Sequence, residues 1–166
     1  MPRPAATRPR PTGRRRGAAV VEMAVVTPIL LLFIFGMIEF GRFIMVGQLA
    51  VNATREGDRY AVQADATPTQ VKNLTKQYLA GAGISDSAIT TLVIERQVSN
   101  TDPLWTPQNQ GWIPVSDDDA ALRAIPSGTP VRVRMSISYD AVSWLPKGVF
   151  IASSSLISTA TTMRKE

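Results

Sequence analysis

The sequence predicts an α+β protein in which a long N-terminal helix packs on a small domain holding a short helix and an antiparallel sheet of about three strands. Three observations carry this. Met23–Ile38 is a run of sixteen uncharged, mostly apolar residues. From Val46 to Ala64, apolar and small residues recur every three to four positions, the period of a helix with one buried stripe. Val131–Tyr139 (VRVRMSISY) alternates strictly, as a half-buried strand does.

At the start of the chain, Met1–Gly17 is mostly Arg, Pro, Thr and Ala. Pro2, Pro4, Pro9 and Pro11 oppose a helix, and nothing there could anchor a core. A flexible cationic leader is expected. Arg3, Arg8, Arg10, Arg14, Arg15 and Arg16 are six of the 18 basic side chains, which leaves 12 against 13 acids in the rest. The net charge of +5 therefore belongs to the leader. A nucleic-acid partner would need a basic patch on the folded part, and none is expected. A basic block abutting an apolar helix instead follows the topology rule that keeps arginines cytoplasmic.

Counting Ala18–Val21, the apolar run is long enough to cross a bilayer core of about 30 Å, with the span over about 19–41 and Glu22 near one face. A carboxylate in such a segment is costly and is a functional candidate for that reason. The helix is expected to continue from about Ala19 to about Gln63, some 65 Å at about 1.5 Å per residue. Its second half has a stripe of Val46, Leu49, Ala50, Ala53, Gly57, Tyr60, Ala61 and Ala64, with Gln48, Asn52, Arg55, Glu56, Arg59 and Gln63 opposite. Pro28 predicts a kink. The expected organisation is a leader over 1–17, the long helix over 18–64 and an extracytoplasmic α+β domain over 65–166.

In that domain Thr67-Pro68 is a helix start, Val71, Leu74 and Tyr78, with Leu79 beside them, give it an apolar face, and Gly81-Ala82-Gly83 ends it. Ala88–Val98 reads as a strand. Ser99–Pro114 reads as a long loop, in which Trp105 and Trp112 either form a contact surface or tuck onto the domain. Ser116 followed by Asp117-Asp118-Asp119 reads as a cap and an acidic first helical turn. Pro126-Ser127-Gly128 and Leu145-Pro146-Lys147-Gly148 are turns, Val131–Val142 is a strand, and Ile151–Met163 is a last strand.

The chain has no Cys and no His. That excludes disulfides, thiol chemistry, imidazole-ligated zinc and Ser-His-Asp triads. The three consecutive aspartates lack the alternate spacing of a calcium loop. No enzyme activity, cofactor or metal is expected. Spacing alone makes Glu39 and Arg42 an i,i+3 pair at the lipid interface, and Arg55, Glu56, Asp58 and Arg59 a solvated helix face on which Glu56 reaches Arg59. Gly57 costs about 1 kcal/mol in a helix relative to Ala, which points to close packing on the domain or a neighbour.

Two motifs carry a family resemblance. The leader ending in GAAVVE, Gly17–Glu22, and followed by an unbroken apolar helix resembles the type IV prepilin processing site. The elements Glu39-Phe40-Gly41-Arg42 and Arg55-Glu56-Gly57-Asp58-Arg59-Tyr60-Ala61, with a C-terminal TTMRKE, resemble the TadE-like pseudopilins of tight-adherence (Flp) pilus systems. The resemblance implies cleavage by a prepilin peptidase between Gly17 and Ala18, removing 17 of 166 residues to leave 149. It implies that Glu22 pairs with the Ala18 amine of a neighbouring subunit and sets register. At the position after this Glu, where such prepilins often carry an aromatic ring, stands Met23. The implied partners are other pilin or pseudopilin subunits, pilus assembly proteins, the peptidase and inner-membrane lipid. The implied function is that of a minor subunit in a bacterial inner membrane, N-terminus cytoplasmic, with roles in adhesion or secretion. The alternative reading is an unprocessed single-pass anchor carrying an extracytoplasmic binding domain.

Overall fold

The computed structural model describes residues 13–146, 150–152 and 154–166, with side chains from residue 17. Residues 1–12 of the leader and Lys147-Gly148 of the expected turn lie outside the described residues. The elements are α1 (Gly13–Ala61), α2 (Pro68–Gly81), β1 (Ile89–Gln97), β2 (Trp112–Pro114), β3 (Pro130–Ser138) and β4 (Leu156–Arg164), with single 3-10 turns at Asp86–Ala88 and Tyr139–Ala141. Two compact units divide the chain between Ile38 and Glu39.

Helix α1 starts at Gly13, earlier than expected and inside the leader. All four leader prolines lie at or before position 11, so nothing downstream of them opposes the helix. It runs on through Pro28, and the neighbouring Thr27 hydroxyl donates to Met23 O at 2.7 Å. In the first unit the large apolar side chains from Val20 to Ile38 are exposed, a continuous greasy surface of span length.

The second unit is the α+β domain. Its sheet has four strands in the order β2-β1-β3-β4, every neighbouring pair antiparallel. The added strand is Trp112–Pro114, inside the expected long loop, paired with Glu95–Gln97. Gln110 and Gly111 at φ 51° and 78° turn the chain back into it, and Gly111 O accepts from Val98 N at 2.7 Å. A side chain at Gly111 would meet Val98 O at 2.6 Å and Trp105 Cδ1 at 2.9 Å. Trp105 is therefore folded over the loop, and Trp112 lies under Arg132, so both rings tuck onto the domain.

Helix α2 forms as its ends dictate. Thr67 caps it by accepting from Gln70 N, Pro68 opens it, and Gly83 at φ 79° closes it, with Ile84 N donating to Leu79 O at 3.0 Å. The aspartates after Ser116 do not open an α-helix; residues 119–124 make successive turns instead. Pro126 is too close for a full helix, and Leu122 and Ile125 are drawn into the core. Strand β3 stops at Ser138 and passes into the turn Tyr139–Ala141.

One core cluster joins Val46, Ala50 and Ala53 of α1 to Leu79, Met135, Ile137, Tyr139 and Ile157. A second joins Ala61 to Val71, Ile94, Leu122, Ile125, Val131 and Val133. Of the expected stripe, Val46, Ala50, Ala53, Gly57 and Ala61 are buried and Leu49 and Tyr60 half-buried; Ala64 is exposed because the helix has already ended.

Candidate functional site

The residues singled out by sequence fall in three groups along α1. Gly17, Ala18 and Glu22 lie within the helix and are exposed, with open space around the Gly17 Cα. Val20, Val21 and Met23 are exposed around them.

The second group is Glu39-Phe40-Gly41-Arg42. Phe40 is exposed and Gly41 faces open space. Glu39 and Arg42 do not pair with each other; each grips the turn that follows β3. Glu39 is buried, and its Oε1 accepts from the Tyr139 hydroxyl at 2.8 Å and from the Ser143 hydroxyl. Tyr139 also donates to Glu39 O at 3.1 Å. A carboxylate removed from water needs such donors. Burial, reinforced by the neighbouring carboxylate, pushes the Tyr139 phenol well above its ordinary value. Arg42 Nε donates to Val142 O, and its guanidinium lies 4.3 Å from the centre of the Trp144 ring. Phe43 meets Tyr139 edge-on at 5.1 Å. The interfacial ion pair suggested by spacing is thus replaced by a clamp between α1 and residues 139–144. The long-range donors could not be read from local spacing.

The third group is Arg55–Tyr60. Arg59 pairs with Glu56 at 2.8 Å on the exposed side, as the spacing implies. Arg55 is exposed, and the Tyr60 hydroxyl donates to Gln70 Oε1 at 3.2 Å. Gly57 is buried against the domain, where a Cβ would stand 2.5 Å from Thr75 Oγ1 and 3.4 Å from Val133 Cγ2. That contact explains the helical glycine.

Asp58 is the departure from the solvated-face reading. It is fully buried, and its Oδ1 accepts the Val133 amide proton. Burial pushes its carboxyl up to about 7, opposed by the Thr161 hydroxyl and the Val133 amide. Oδ2 and Thr161 Oγ1 have no hydrogen bond of good geometry. In the sequence, its position next to Gly57 on the edge of the apolar stripe is the signal for its burial. Just beyond, Lys165 is buried and donates to Ala61 O and Gln63 O, closing the C-terminal end of α1. A cation there also complements the helix dipole, while burial lowers its ammonium below the ordinary lysine value.

The elements define an α+β chain with one apolar helix of span length, a short helix and a four-stranded antiparallel sheet. The family model described as TadE-like protein matches residues 17–59. The matched stretch begins at Gly17 and takes in the first two groups and the third as far as Arg59, so over those residues the chain is similar to TadE-like proteins. No curated protein and no solved structure matches the chain.

Proposed function

We propose that the chain is a minor pseudopilin of a tight-adherence pilus apparatus, trimmed after Gly17 by a prepilin peptidase and assembled through α1. The observation that carries the reading is the TadE-like match over residues 17–59, which starts on the glycine of GAAVVE. The exposed apolar surface of α1 supports it. Burying each large side chain there stabilises by about 1.5–3 kcal/mol, so lipid and neighbouring helices are its natural surroundings. Trp144, 74% exposed beside Arg42, suits the headgroup level at the end of the span.

Assembly is by packing, not catalysis. Cleavage creates an ammonium on Ala18 about one helical turn from Glu22. In an array of parallel helices Glu22 meets the amine of a neighbour, and the cost of leaving either charge unpaired in lipid enforces register. The partners are other pilin-like subunits and assembly proteins, with the chain anchored in the inner membrane and its domain outside. The test is Glu22→Ala. The variant inserts in the membrane but fails to co-purify with the assembled apparatus; normal incorporation refutes the register role.

A further inference from the structure

The two faces of the sheet differ in chemistry. Val131, Val133, Met135 and Ile137 of β3 meet the helices in the two cores. The alternate residues form the opposite face, and arginine dominates it. Arg132 Nε lies 2.6 Å from Glu95 Oε2 and Arg134 Nη2 lies 3.0 Å from Glu95 Oε1. One buried carboxylate thus holds two guanidinium groups and leaves one positive charge over. The Arg132 guanidinium also stacks 4.1 Å from the centre of the Trp112 ring, which fixes its plane. The register sets Thr162 opposite Arg132, and Arg164 opposite Pro130 on the same face. Arg164 is exposed and makes no ion pair among the described residues, so it adds a second uncompensated charge.

The opposite side of the same unit carries acid. The loop after β2 lies on the helix side, because its Leu122 and Ile125 share a core with Ala61 and Val71. Asp117, Asp118 and Asp119 are exposed on it. Asp117 pairs with Lys72. Asp118 accepts from Ala120 N at 3.2 Å and Asp119 from the Thr69 hydroxyl at 3.4 Å, and neither has an ion pair among the described residues.

Both surfaces lie near the C-terminal end of α1. Lys165, next to Arg164, binds the Ala61 and Gln63 carbonyls, and Thr69, the partner of Asp119, stands in the first turn of α2. Copies anchored in one membrane share the direction of α1. Side by side, one copy then presents its arginine face to the acidic loop of the next at the same level.

We propose that the face formed by Arg132, Arg134 and Arg164 receives Asp118 and Asp119 of a second copy of this chain in a head-to-tail contact. The proposal rests on the subunit reading above and deepens it by naming a surface outside the membrane. The chain itself carries the complementary charge on its opposite side, which favours a second copy over another acidic partner. A head-to-tail contact propagates from copy to copy instead of closing as a dimer does. Its charges steer association and fix orientation more than they add affinity.

The chain has no Cys, so introduced cysteines report without background. Thr162→Cys and Asp119→Cys are placed in separate full-length copies, co-expressed in cells with the assembly apparatus and oxidised. The expected product is the mixed 119–162 disulfide, in about tenfold excess over either homotypic pair, the ratio that a preference of about 1.4 kcal/mol gives. Arg164→Asp should remove that product and Asp118→Arg in the partner copy should restore it. A third cysteine at Leu32 reports helix packing in lipid. Leu32 cross-links without 119–162 cross-links overturn the inference and leave the subunit reading standing; absence of both overturns the two together. Capture of Thr162→Cys by a different chain, or loss on Arg164→Asp without restoration, also overturns it.

Discussion

Replacing Asp58 by Asn tests the electrostatics of the joint between α1 and the sheet. The side chain is fully buried, and burial lifts its carboxyl from 3.8 to about 7. A group that binds its proton more tightly folded than unfolded stabilises the fold most when protonated. Its contribution is therefore fully present below about pH 4 and is lost as pH rises through about 7. A shift of about three units corresponds to about 4 kcal/mol between those limits, at about 1.4 kcal/mol per unit. Asn keeps an oxygen for the Val133 amide and carries no charge at any pH. The variant should match the wild type near pH 4 and exceed it by up to about 4 kcal/mol at pH 8. Urea titrations of the full-length protein in detergent micelles, followed by tryptophan fluorescence at both pH values, read the difference directly. Wild-type stability that does not fall between pH 4 and pH 8, or a variant weaker than wild type at pH 8, would show that the buried Asp58 charge does not destabilise the fold.

Two further substitutions probe the same spine. Gly57→Ala gains about 1 kcal/mol of helix propensity, yet its Cβ would stand 2.5 Å from Thr75 Oγ1, and overpacking of that kind costs about 1–3 kcal/mol. The single variant should lose stability and Gly57→Ala with Thr75→Ala should recover it; a single variant more stable than wild type contradicts the packing account. Tyr139→Phe removes the hydroxyl that serves Glu39 Oε1 and Glu39 O, so it should cost about 1–3 kcal/mol. An unchanged denaturation midpoint would show that Ser143 alone satisfies the carboxylate.

Much of the fold was legible because local chemistry and tertiary structure agree. The alternation of Val131–Ile137 is the buried alternation of β3, and Thr67-Pro68 caps and opens α2 as read. Legibility failed where partners are distant in sequence. Trp112–Pro114 is too short to show a period, and only its pairing with Glu95–Gln97 makes it a strand. The acids after Ser116 favour a helical first turn, but the core claims Leu122 and Ile125. At the site, Gly57 announced close packing through its helical cost. Glu39 and Asp58 looked like surface charges because their donors, Tyr139, Ser143 and Val133, come from strands and turns far along the chain.

In the proposed function residues 1–17 are a leader and Ala18 is the working N-terminus. Intact-mass measurement of the protein from membranes that contain the prepilin peptidase tests it most directly. The expected product is a chain of 149 residues beginning at Ala18, and a full-length chain of 166 when Gly17 is replaced by Trp. A wild-type protein that keeps Met1–Gly17 in the presence of active peptidase contradicts it.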